Sequence, residues 1–285
     1  MKKVIVLPNL NKDSGAVITK TVVNKLLSLG ITAYVDKSIE ALADSGVVFY
    51  KDAPGDAELI VVIGGDGSVI DASGLAVELD IPLLGINLGK VGYLATLDPE
   101  DIGLLSNLVI GDYIVNERML LAASKKGTDG LITRSERLAL NDVIICRECG
   151  LGIYDFTVEN KGGDRVIYRA DGVVVSTPAG STAYSLSAGG PIISHTLESI
   201  LLTPLCPHSF FNRAIVYGPE EEISVTNTSP KSLKINIDGR PFVSLEEGEA
   251  CLISKSRRNI KMLTFTESNL FSTLSKKITL IQDSI

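Results

Sequence analysis

The chain contains no tryptophan, two histidines, three methionines and four cysteines among 285 residues. With aromatics at 5% there is no stacking platform for a nucleic-acid strand, and a formal charge of -7 argues against a general nucleic-acid or anionic-membrane binder. The cysteines Cys146, Cys149, Cys206 and Cys251 are too few and too scattered for a secreted disulfide scaffold. No apolar stretch approaches the roughly twenty residues of a membrane helix. Met1-Lys2-Lys3 leads into a short strand rather than the apolar core of a signal segment, so no membrane partner and a cytoplasmic setting are expected. Internal repeats, low-complexity tracts and flexible linkers are absent. A dehydrogenase is disfavoured because no Gly-x-Gly-x-x-Gly run follows the first strand.

What is present suits a globular protein of one large or two moderate domains, with 45% hydrophobic and 21% charged residues. The first hundred residues alternate strand-like and helix-like segments. Lys3 to Leu7, Thr32 to Val35, Leu59 to Ile63 and Pro82 to Asn87 read as strands, Ala16 to Leu29 and Val69 to Leu79 as helices, and Gly30 as a helix stop. Such alternation predicts parallel strands joined by helical crossovers, with ligands gathered at the strands' C-terminal edge. From about Tyr113 the pattern becomes β-rich. Strands are expected over Leu138 to Cys146, Ile153 to Glu159, Val166 to Arg169, Gly172 to Ser176, Ala214 to Tyr217, Ile223 to Asn227, Leu233 to Ile237 and Ala250 to Ser254. Asp238-Gly239 is a hairpin turn leading into Pro241 to Leu245. The fold class is therefore α/β plus all-β. The expected boundaries are an α/β domain over 1–112, a β-rich domain over 113–262, and a tail over 263–285, with a helix at Leu270 to Leu274, returning to the first domain.

Two glycine-rich signatures carry the chemistry. Gly64-Gly65-Asp66-Gly67-Ser68 joins the fully apolar strand Leu59 to Ile63 to a helix, leaving backbone N–H groups at a helix N-terminus where phosphate is favoured. Asp66 would repel phosphate if binding were its only role, so it needs another: base, hydroxyl acceptor, metal partner, or simply a cap for the helix. The second signature, Asp171 to Ser185, is rich in hydroxyl side chains and kept open by Pro178 and Gly180, a loop able to wrap a polar ligand. Cys146-Arg147-Glu148-Cys149 has the spacing of half a zinc site, with Cys206 or His208 as distant ligands, but the second pair is missing and free thiols are the preferred reading. His195 and His208 read as loop or core residues, and Tyr184 is the aromatic placed against a ligand ring.

Together, Gly64 to Ser68, Gly85 to Tyr93, Asn141-Asp142 and Asp171 to Pro191 resemble the signatures of bacterial NAD kinases, in the same order along the chain. The resemblance implies transfer of the γ-phosphoryl of ATP to the 2′-hydroxyl of the adenosine ribose of NAD. It also implies a Rossmann-like N-terminal domain, a β-sandwich-like C-terminal domain, and a homo-oligomer, dimer or tetramer. By the same resemblance Asp66 is catalytic and faces that hydroxyl, with Gly67 beside it. Asn141 and Asp142 occupy the family's Asn-Glu pair, the acid here one methylene shorter. Arg169 and Asp171 match NAD-contacting positions, and Thr182, Ala183, Tyr184, Ser185, Leu186 and Ser187 match the segment around adenine and ribose. Arg240 falls where relatives often place glutamine, and a basic family position falls on Gly152.

Phosphoryl transfer is mainly positioning and charge neutralisation. Gly64, Gly65, Gly67 and Ser68, with Asn87 and the Gly89 to Gly92 loop, are the expected donors for the ATP phosphates, and Lys90 is a candidate cation. A divalent cation, Mg²⁺, is expected with ATP, although no protein ligand for it is evident. Lipid and sugar-phosphate kinases share Gly-Gly-Asp-Gly but lack the second signature, and a non-catalytic dinucleotide sensor would have no need of Asp66.

Overall fold

The computed structural model describes residues 1–39, 42, 46–89, 92–148, 154–208, 212–267 and 274–275. The chain divides into two compact units, Met1–Glu117 with the segment from Ile260 onward, and Arg118–Asn259. The crossings fall inside two long strands rather than at 112 and 262, because each strand continues from one unit into the other. Lys90, Val91, Cys149, Gly152 and the expected helix up to Thr273 lie outside the described residues.

In the first unit, β1 (Lys3–Pro8) leads through α1 (Val17–Ser28) to β2 (Thr32–Asp36) and β3 (Val48–Tyr50). Then β4 (Leu59–Gly64), α2 (Asp66–Leu79) and β5 (Leu83–Asn87) follow, and later the four-residue α3 (Asn107–Ile110). The strands are parallel in the order β5-β4-β1-β2-β3. β4 and β5 are buried along their whole length, as their unbroken apolar sequence requires when both faces are covered. Helix α1 ends where expected: Gly30 has φ +73° and its N–H bonds to the carbonyl of Leu27. From β1 the chain proceeds to β2 on one side, whereas β4 and β5 lie on the other. The strand order therefore reverses between β1 and β4, and the crevice at their C-terminal ends is where doubly wound sheets collect ligands.

The second unit is almost entirely antiparallel β. Its strands are β6 (Ile114–Lys126), β7 (Ile132–Ala139), β8 (Asp142–Arg147), β9 (Tyr154–Asn160), β10 (Arg165–Ala170) and β11 (Gly172–Ser176). After the single turn α4 (Tyr184–Ser187) come β12 (Ile200–Leu205), β13 (Ile215–Tyr217), β14 (Glu222–Asn227), β15 (Leu233–Ile237), β16 (Arg240–Leu245) and β17 (Ala250–Thr264). One sheet runs β13-β12-β11-β8-β15-β16 and the other contains β10-β9-β14-β17. Phe156 and Tyr168 from the second sheet, stacked at 5.7 Å between ring centroids, share one core with Ile145, Val173, Val175 and Leu202 from the first. Two sheets facing across one apolar layer make a sandwich.

The strand expected over Leu138 to Cys146 is in fact two, β7 and β8, broken at Leu140-Asn141. The carboxylate of Asp238 causes the break by accepting the N–H groups of Leu140, Asn141 and Asp142 at 2.8, 2.8 and 3.0 Å. β17 extends well past the expected Ser254, and its Met262 pairs in parallel with Leu83 of β5.

Candidate active site

In the first unit the glycine turn lies at the reversal point. Gly64 ends β4, Gly65 is the N-cap of α2, and Asp66 already belongs to the helix, three residues earlier than the periodicity suggested. Glycines lower helix propensity and so hide a helix start from a pattern reading. Gly64 is required by space: a Cβ there would sit 2.3 Å from Ser68 Oγ. Ser68 N–H already bonds to the Gly65 carbonyl at 2.9 Å, so of the first turn the N–H groups of Asp66 and Gly67 are the ones open to a ligand.

Asp66 is not the cap of its own helix. Its Oδ2 accepts the N–H of Tyr93 at 2.9 Å, and its Oδ1 accepts those of Leu94 and Ala95 at 2.9 and 3.1 Å. Gly92 must be glycine for this loop to close on the acid, since a Cβ would lie 2.4 Å from the Ala95 carbonyl and 2.9 Å from Asp66 Oδ1. A carboxylate oxygen has two acceptor directions. Oδ1 uses both and Oδ2 uses one, so the half-buried carboxylate is held rigidly with one direction on Oδ2 for a further donor.

Asn87 is buried and folds onto its own loop, with Oδ1 accepting from Gly89 N–H at 2.9 Å and Nδ2 donating to the Gly89 carbonyl at 3.3 Å. It shapes the loop beside the turn. Ser68 accepts from Asn9 Nδ2 at 2.9 Å. Asn9 begins the loop after β1, and Asn9, Asn11, Ser38, Ser68 and Asp71 line a cleft of about 520 Å³. Asn9 and Lys12, whose ammonium lies over Gly65, carry no motif and were not identified from sequence.

The second unit gathers the other signatures. Thr177 Oγ1 donates to the Leu140 carbonyl at 2.6 Å and Thr177 N–H to the Asn141 carbonyl at 2.9 Å, so the hydroxyl-rich loop is stitched to the Asn141-Asp142 turn. Gly180 makes the contact possible: a Cβ there would fall 2.0 Å from the Asn141 carbonyl oxygen. Asp142 is buried, and its pKa is pushed up to about 7 by desolvation, with the negative charge of Asp238 adding to it. Burial raises Asp238 as well, against the pull of its three N–H donors and Arg137.

A cavity of about 460 Å³ is lined by Asp171, Tyr184 and Ser187, with Cys146, Arg147 and Cys206 among its other walls. Arg147 Nη1 lies 3.4 Å from Asp171 Oδ1, placing a cation in this cavity that the sequence shows only as part of Cys-x-x-Cys. Tyr184 is 47% exposed and lines the same space. Ser185 is turned inward, its hydroxyl 2.8 Å from Thr203 Oγ1, while Thr182 Oγ1 donates to the Ala179 carbonyl at 3.2 Å. Ala183 is the N-cap of α4 and Leu186 lies within that turn. Arg169 stands apart from the cavity lining, its guanidinium paired with Asp155 at 2.9 and 3.3 Å. Arg240 opens β16 immediately after the Asp238-Gly239 turn, whose residues both have positive φ, 50° and 75°, as a tight hairpin demands. Cys146, Cys206 and Cys251 are free thiols, and burial pushes Cys146 up. Among the described residues no cluster of three or more His, Cys, Asp or Glu forms a metal site, and no helix is long and apolar enough to cross a membrane.

Known proteins are similar to this chain across both units. The ATP-NAD kinase N-terminal domain matches residues 4–113 and the ATP-NAD kinase C-terminal domain residues 140–265. The chain is 34% identical to an NAD kinase of Natranaerobius thermophilus, over 98% of each chain. It is 37% identical to one of Lachnospira eligens, over 90% of this chain and 93% of that one. Among solved structures, yeast NADH kinase complexed with NADH superposes with TM-score 0.85 at 22% identity, covering 96% of this chain and 86% of the other. An NAD kinase from Archaeoglobus fulgidus in complex with ATP gives 0.71 at 24%, covering 97% and 99%. The α/β first unit and β-sandwich second unit are thus the fold of these enzymes, and on domain and sequence match alike the chain belongs to the ATP-NAD kinase family.

Proposed function

We propose that this protein phosphorylates the adenosine-ribose 2′-hydroxyl of NAD with ATP, giving NADP and ADP. The observation that carries the proposal is the fixed carboxylate of Asp66 at the glycine turn, with one acceptor direction left on Oδ2. In the reaction the bond from the γ-phosphorus to the β,γ-bridging oxygen breaks and a bond from that phosphorus to O2′ forms. The hydroxyl proton passes to Asp66 late, since a carboxylate is a weak base for an alcohol. Asp66 therefore acts first as an orienting acceptor. The open N–H groups of Asp66 and Gly67 in the first turn of α2, with the glycine turn Gly64 to Ser68 around them, receive the donor phosphates.

Asn141, Asp142, Asp171, Tyr184 and Ser187 form the NAD-recognising surface of the second unit in this reading. Arg147, in the cavity with Asp171, supplies positive charge for the dinucleotide's diphosphate. Below about pH 7 the Asp142 carboxyl carries a proton and can donate one hydrogen bond as well as accept. A divalent cation brought in with ATP would neutralise phosphate charge. Such an ion would be held mainly by phosphate oxygens, with Asp71, which lines the cleft, as the protein carboxylate within its reach. A homo-oligomer in the cytoplasm completes the reading; Ile167 on the edge strand β10 is 66% exposed, an apolar surface available to a second copy. The test is NADP formation from NAD, ATP and Mg²⁺. Tight NAD binding without product would replace the kinase by a dinucleotide sensor.

A further inference from the structure

We infer that Lys12 is a donor-binding residue, its ammonium held over the glycine turn to neutralise the triphosphate of the nucleotide donor. The inference rests on the kinase reading and names a residue outside both glycine-rich signatures. An ideal Cβ on Gly65 would lie 2.7 Å from Lys12 Nζ, so the ammonium rests on the open face of that glycine, beside Asp66 in sequence and at the mouth of α2.

A lysine is a flexible side chain, and its base determines where it can act. That base is anchored on both sides. Asn9 N–H donates to the Ile63 carbonyl at 2.8 Å and Asn9 Nδ2 to Ser68 Oγ at 2.9 Å, tying the loop to the glycine turn. Lys12 N–H and Asp13 N–H both return to the Asn9 carbonyl at 3.0 Å. On the far side the buried Asp13 carboxylate accepts the N–H groups of Ile18 and Thr19 at 3.0 and 2.8 Å and the Thr19 hydroxyl at 2.5 Å. Burial works against the Asp13 charge, yet the bonds from Thr19 and Ile18 outweigh it and keep its carboxyl below the usual carboxylate value.

A loop stitched in this way fixes the backbone from which the exposed Lys12 reaches over Gly65. There the ammonium has no carboxylate partner among the described residues, in contrast to Lys255 and Lys261, which pair with Glu198 and Asp80 at 2.6 and 2.8 Å. This ammonium without a carboxylate partner lies against a turn in which Ser68 N–H is bonded to the Gly65 carbonyl, while the N–H groups of Asp66 and Gly67 have no acceptor among the described residues. The chemistry that satisfies these donors is a polyphosphate. The reversal point of the sheet and the adjoining cleft of about 520 Å³ put the same location where a doubly wound fold binds its ligand.

The test measures MgATP binding by calorimetry and steady-state kinetics for wild type, Lys12→Met, Lys12→Gln and Lys12→Arg, with thermal unfolding as a control. Loss of one charge-assisted contact weakens MgATP binding and raises KM for ATP by about tenfold or more. KM for NAD stays within about twofold, the unfolding midpoint is unchanged, and arginine restores most of the loss. Gly65→Ala displaces the ammonium cheaply, because what it meets is the far end of a flexible side chain. Its effect on MgATP affinity and that of Lys12→Met should therefore be strongly non-additive. Equal MgATP affinity in wild type and both neutral variants overturns the assignment, as does an equal loss of NAD affinity. A wild type that forms no NADP while MgATP affinity still follows Lys12 defeats the kinase reading and leaves this one standing.

Discussion

Asp66 Oδ2 accepts the backbone N–H of Tyr93 at 2.9 Å, across 27 residues of chain, and so joins the glycine turn to the loop beyond β5. The same carboxylate that would orient the ribose hydroxyl is a structural pin for residues 93–95. Asp66→Asn should therefore do two separable things. Turnover falls on the order of 100-fold or more, the usual scale of losing a general base. Stability falls by about 1–3 kcal/mol, because the amide nitrogen cannot accept and one N–H loses its partner. Chemical denaturation beside kcat separates the two.

Asp238 plays the corresponding part in the second unit, with three N–H groups of residues 140–142 on one carboxylate. Asp238→Ala releases that turn at a cost of about 1–3 kcal/mol. KM for NAD should rise several-fold while KM for ATP moves little. Initial-rate kinetics with each substrate varied in turn reads the difference.

The buried Asp142 fixes the sign of a pH effect. Its proton stays on to about pH 7 in the folded chain and leaves near 3.8 in the unfolded one. Between those values the folded state binds more protons, so this contribution to stability is complete below about 3.8 and is lost as pH rises to about 7. Asp142→Asn should flatten the decline, which is at most about 1.4 kcal/mol per pH unit for one group. Urea midpoints of both proteins at pH 5 and pH 8 check it.

Gly67 and Gly180 make opposite predictions. A Cβ at Gly67 meets nothing within 4 Å, whereas one at Gly180 lies 2.0 Å from a backbone oxygen of Asn141. Gly67→Ala should leave stability within about 1 kcal/mol or raise it, as alanine favours a helix, yet weaken substrate binding at the turn. Gly180→Ala should destabilise by about 3 kcal/mol as the two loops are forced apart. Thermal midpoints and KM values for the two variants distinguish ligand space from packing space.

Much of this was legible in the residues. The continuous apolar run Leu59 to Ile63 marked a strand buried on both faces, and Asp238-Gly239 marked a hairpin. What stayed hidden was long-range. β12 was missed because Pro204 falls inside it; β13 pairs only with Ile200 to Leu202, so Pro204 owes that neighbour no N–H. β6 was missed because its middle is buried without alternation. Of the candidate site residues, Asp66, Asp171 and Tyr184 lie within the signatures. Asn9, Lys12, Arg147 and Asp238 act through contacts between loops distant in sequence, which no local pattern encodes.

The most direct test is the rate of NADP formation from NAD, ATP and Mg²⁺ by wild type and Asp66→Asn, at saturating substrates and with NAD binding measured in parallel. NADP is expected from the wild type, with a loss on the order of 100-fold or more in the variant and NAD binding retained. A variant that turns over at the wild-type rate would contradict the role of Asp66, and a wild type that binds NAD but forms no NADP would contradict the kinase itself.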